Sequence, residues 1–116
     1  MKYMLLIYSA PGAWDEASAD EVMGEYMTFT QSIIDSGEFV AGDPLQGPET
    51  ATAVRVRKGS TTTTDGPFAE VKEHISGYYI VDAKDLDRAI EVAAKIPDAR
   101  TGGVEVRPMV DMGTPG

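Results

Sequence analysis

The chain has 116 residues, 42% of them hydrophobic, enough for one domain with a buried core and too few for two. Ten Lys and Arg against nineteen Asp and Glu leave a formal charge of −9, so the surface repels phosphate backbones and anionic lipid, and neither nucleic acid nor a membrane is expected as a partner. The absence of cysteine and the single histidine exclude disulfides, thiolate metal sites, a cysteine nucleophile and a histidine-rich zinc site, and no cofactor or metal is expected.

Lys2 to Tyr8 is a continuous apolar run with aromatics, too short for a helix and read as a buried central strand. It is also shorter than an export signal's apolar core of ~7–15 residues, and no segment approaches the ~20 that span a bilayer, so a cytoplasmic protein is expected. Ser18 and Glu21 have the spacing of a capping box and open a predicted helix that ends near Ser36, with Gly37 as its left-handed stop. Its apolar stripe is read as Val22, Met23, Tyr26, Met27, Thr30, Ile33 and Ile34, with Glu21, Glu25, Gln31 and Asp35 opposite.

"EFVAG" is a short second strand, followed by the loop "DPLQGPET". From Thr52 to Lys58 alternation predicts a half-buried strand with Arg55 and Arg57 on a polar outer face, and Gly59 turns it into "STTTT" as a hairpin. "ISGYYIVDA" is a strand with Tyr79 and Val81 on one face and Tyr78 and Ile80 on the other. Asp85 caps a second predicted helix through Ile96, with Leu86, Ala89, Ile90, Ala93 and Ile96 as its buried stripe and Pro97 blocking continuation. "GVEVRPMV" is the last strand; residues 1–110 form the domain and 111–116 a tail.

With the hairpin set aside, the order is βαββαβ, the pattern of a ferredoxin-like antiparallel sheet with both helices on one face: an α+β domain with an inserted β-hairpin. Two helices cover one side of such a sheet, and pairing two sheets face to face hides the other, so a homodimer is expected.

The ordered series "MKYMLLIY", "ATAVRVRKG", "DGPFAEVKE", "GYYIVDAKDLDRAIEVAAKIP" and "GGVEVRP" resembles the YCII-related family, specifically its DGPF-domain subgroup, over nearly the whole chain. The resemblance implies a dimeric α+β barrel of ferredoxin-like subunits and a link to extracytoplasmic-function sigma factors, but no defined activity. The smaller relatives carry a His-Asp pair, the histidine on the first helix and the aspartate just before the proline that ends the second. Counting from Gly37 and Pro97 places Tyr26 and Ile96 there, so that chemistry is not carried over.

Asp65, at a strand end before a Gly-Pro turn, is the leading catalytic candidate, acting as a base near a small-molecule pocket; the competing reading is an Asx-type turn. His74 is the second candidate, as the residue type that changes charge near neutral pH. Arg55, Phe68, Lys72, Glu73, Tyr26 and Tyr78 are candidate ligand contacts. Each has a plainer alternative: cross-strand ion pairing for Arg55, an apolar anchor for Phe68, a solvated segment for Lys72 and Glu73, and core packing for the tyrosines. Three readings follow: a small-molecule-binding protein, with or without metal-independent catalysis through Asp65; a non-catalytic accessory or regulatory protein; and a dimer whose motif serves only folding.

Overall fold

The computed structural model describes residues 1–10, 19–68 and 73–112. Six strands and two helices follow in order: β1 (Lys2–Ser9), α1 (Ala19–Asp35), β2 (Phe39–Pro44), β3 (Thr52–Arg57), β4 (Ser60–Asp65), β5 (His74–Asp82), α2 (Leu86–Ala94) and β6 (Gly103–Pro108). Short 3-10 turns occupy Pro48–Thr50 and Pro97–Arg100. Four strands form one antiparallel sheet in the order β2-β5-β1-β6, the ferredoxin-like arrangement once β3 and β4 are set aside. The apolar run of β1 is central, as its composition predicts, paired to β5 with Leu5 opposite Tyr79 and to β6 with Leu5 opposite Val106.

Alternation along β1 sends Tyr3, Leu5 and Ile7 into the core, where Tyr79 and Val81 of β5 meet Phe29 and Ile33 of α1 and Ala89, Val92 and Ala93 of α2. Phe29 packs edge-on against Tyr79 with ring centroids 5.1 Å apart. The start of α1 signalled by Ser18 lies outside the described residues. Its end is the one predicted: Gly37 takes φ +81°, and the amides of Gly37 and Glu38 donate back to the carbonyls of Ile34 and Ile33, closing the last turn. Asp85 caps α2 by accepting from the amide of Arg88 at 2.8 Å.

Both helical stripes differ from expectation. On α1 the buried residues are Phe29 and Ile33, whereas Met23, Met27 and Ile34 stay exposed, because a 17-residue helix over a narrow four-stranded sheet leaves one flank beyond the sheet edge. On α2, Val92 is buried in place of Leu86 and Ile90, which are about half exposed; the helix stops at Ala94, and Ile96 enters the core from an extended backbone imposed by Pro97.

The largest difference is the hairpin. β3 and β4 form a separate two-stranded sheet, turned by Lys58 (φ +51°) and Gly59 (φ +78°), two positive-φ residues as a type I′ turn requires. The predicted half-burial is not found: Ala53 is buried, but Val54 and Val56 are exposed like Arg55 and Arg57, since the strand has no layer beside its valine face. Among the described residues no helix is long and apolar enough to cross a membrane.

Candidate functional site

The exposed flank of α1 is one wall of a cavity of about 790 Å³. Met23, Tyr26, Met27 and Ile34 of α1 face Ser9 at the end of β1, His74, Ser76 and Tyr78 on β5, and Asp43 with Pro44 at the end of β2. Leu45, Pro48 and Glu49 form the rim that leads into β3. The cavity thus sits where α1 overhangs one end of the sheet, a usual place for a small-ligand site in such a layered fold.

At its floor lies Asp98, 1% exposed, on the 3-10 turn after α2. Its position is a backbone consequence of Pro97. The proline holds Ile96 extended and starts a new turn, so the residue beyond it swings under α1. One carboxylate oxygen accepts from the Tyr26 phenol and the other from the Ser9 hydroxyl at 3.0 Å. Ser9 lies 2.7 Å from the Ser76 hydroxyl. The one proton of the Ser9 hydroxyl is shared between Asp98 and Ser76, and the Ser76 hydroxyl in turn donates toward the Ile7 carbonyl at 3.5 Å. A carboxylate this deep is tolerated because hydroxyl donors converge on it.

Burial, then the bond to Asp98, raises the pKa of Tyr26 far above that of a free phenol. Tyr26 therefore stays protonated and acts as a hydrogen-bond donor, not as a base. Thr30, one turn on, holds the Tyr79 phenol at 2.6 Å between core and cavity. Tyr78 donates to Asp43 at 2.9 Å on the rim, which raises its pKa as well.

The residues singled out in the sequence divide into two groups. Tyr26, Tyr78 and His74 are brought to the cavity. Asp65, Arg55, Phe68 and Glu73 are not among its described lining residues, and Lys72 lies outside the described residues. Asp65 ends β4 with its side chain exposed, and the turn is closed by its neighbour: Gly66, at φ +96°, donates its amide to the Ala51 carbonyl at 2.7 Å. Phe68 does not anchor in the core; it is 65% exposed, with the Arg55 guanidinium 4.3 Å from its ring centre. Asp98, Ser9 and Ser76 escape sequence reading. The count from Pro97 lands on fully buried Ile96, whereas the acid that meets Tyr26 lies on the other side of the proline. A polar residue ending an apolar strand, as Ser9 does, was the one signal available.

Three comparisons bear on this geometry. The fold is similar to that of a solved 5-chloro-2-hydroxyhydroquinone dehydrochlorinase from Burkholderia phenoliruptrix, in complex with 2,5-dihydroxybenzoquinone, with a TM-score of 0.54 and 13% identity over 95% of this chain and 94% of that one. An uncharacterised protein of Rhizobium meliloti is 32% identical over 114 residues, covering 94% of this chain and 92% of its own. The model of the YCII-related domain matches residues 1–113. Matched over nearly its whole length, this chain belongs to the YCII-related family.

Proposed function

We propose that the cavity beside Tyr26 binds a small, largely apolar molecule bearing a hydroxyl or similar polar group, and that Asp98 exchanges a proton with it. The observation that carries this reading is the buried Asp98 carboxylate, held from two sides by Tyr26 and Ser9 at the floor of a cavity with an apolar α1 wall. Such a carboxylate is oriented before a ligand arrives, which is what general acid–base catalysis requires of it. Met23, Met27 and Tyr26 on the α1 wall, with Phe39 and Tyr79 among the lining residues of the sheet, suit a ring-sized ligand. The dehydrochlorinase of the same fold was solved with a ring of that size.

The reading includes a homodimer. Met4 and Leu6 of β1 lie opposite Ile80 and Tyr78 of β5, on the sheet face away from the helices. A second sheet packed on that face would remove this apolar surface from water.

The test is calorimetric titration of a panel of phenols and quinols, with 2,5-dihydroxybenzoquinone as one member, in two buffers of different ionisation enthalpy. Wild-type protein should bind at least one with buffer-dependent heat, the sign of proton transfer. Asp98→Asn should remove that dependence and slow any turnover by roughly 10²-fold or more. Equal binding and equal proton transfer in the folded variant would overturn the assignment.

A further inference from the structure

The hairpin of β3 and β4 is an arm. It pairs with neither edge of the four-stranded sheet, and its Val54 and Val56 are 52% and 56% exposed. The radius of gyration, 16.1 Å, exceeds the about 13 Å of a compact domain of this length. A two-stranded ribbon standing alone in water is marginally stable, so its valine face calls for a cover. Its charge is opposite to that of the body. Residues 52–65 hold Arg55, Arg57 and Lys58 against the single acid Asp65, a net +2; since the chain totals −9, the remainder carries −11.

The complementary surface is the cavity rim. There Asp43 and Glu49 supply carboxylates, and Met27 and Leu45, 68% and 52% exposed, supply apolar surface. The arm cannot cover the rim from which it springs. Pro48 and Glu49 line the cavity and β3 begins at Thr52, yet in its own chain the valine face remains open. In a two-fold dimer the same geometry resolves itself, because an arm leaving one rim toward the other is matched by the partner's arm returning. Six residues of strand reach about 20 Å, more than the ~10 Å between packed sheets.

We infer that the β3–β4 hairpin docks reciprocally on the cavity rim of a second copy of this chain, with the valine face on the exposed methionine and leucine and the basic tip on Asp43 and Glu49. The inference rests on the homodimer proposed above, and since Met27 and Leu45 also line the cavity it makes the partner's arm part of the cavity rim.

Equal amounts of unlabelled and heavy-isotope-labelled protein, mixed and treated with a carbodiimide, test it directly. Lys58 should be joined to Asp43 or Glu49 in pairs of mixed isotope content. In sedimentation, the triple variant Val56→Asp, Arg57→Glu, Lys58→Glu should dissociate at concentrations at least tenfold higher than wild type with its circular dichroism unchanged. Adding Glu49→Arg should recover part of that loss. A monomeric wild type, Lys58 links confined to one chain or absent, or a reversed-charge arm that assembles like wild type would each overturn the inference.

Discussion

Tyr26 and Asp98 are 72 residues apart in the chain and share one hydrogen. The phenol is half-buried, and both burial and the adjacent carboxylate oppose its ionisation, so its pKa is raised in the folded state. An unfolded tyrosine ionises near pH 10. Below that pH both states hold the proton and the bond stabilises the fold; as pH rises past it, only the unfolded chain releases the proton, and stability falls. Tyr26→Phe removes this donor from Asp98 and should cost about 1–2 kcal/mol in urea unfolding at pH 8. The gap to wild type should narrow above about pH 10. A gap that is flat or widening with pH would show that the Tyr26 pKa is not raised in the folded state.

At the scale of elements, α1 has two jobs that one hydrophobic stripe conceals. Phe29 and Ile33 pack toward the sheet, Met23, Met27 and Ile34 wall the cavity, and Tyr26 touches both. A helical period marks apolar positions but not which of two apolar surroundings each one meets. The join between α1 and β2 is held by Glu38, whose carboxylate accepts from Nε and Nη2 of Arg88, at 2.9 and 2.7 Å, in the first turn of α2. The Arg88 bonds lower the pKa of Glu38. A lowered carboxylate pKa stabilises the fold above the unfolded value and is lost as pH falls through the folded one. Glu38→Gln should therefore lower the thermal midpoint at pH 7 and match wild type once Glu38 is protonated in acid. A deficit that persists unchanged in acid would point to packing in place of charge.

At the scale of the molecule, the helix-free face of the sheet and the arm are two surfaces that one chain leaves uncovered. The half-buried Leu6 faces away from the helices with Glu105 and Tyr78 beside it in register. Leu6→Asp places a charge where two apolar sheets would meet and should shift the sedimentation equilibrium to monomer while leaving the circular dichroism intact. A dimer of wild-type affinity in that variant would rule out face-to-face sheets.

The sequence by itself determined the element order, the central place of β1, the stop at Gly37, the cap at Asp85 and the break at Pro97, because periodicity, capping and backbone restriction act over a few residues. The DGPF stretch is one part of the series that resembles the family, and in the structure it closes the base of the arm through the Gly66 amide. Only the tertiary structure decided the site. Ser9, Tyr26, Ser76 and Asp98 lie on four separate elements with no local spacing to link them. They meet because the sheet order sets β1 beside β5 and Pro97 turns the chain back beneath α1, contacts set by packing between distant segments.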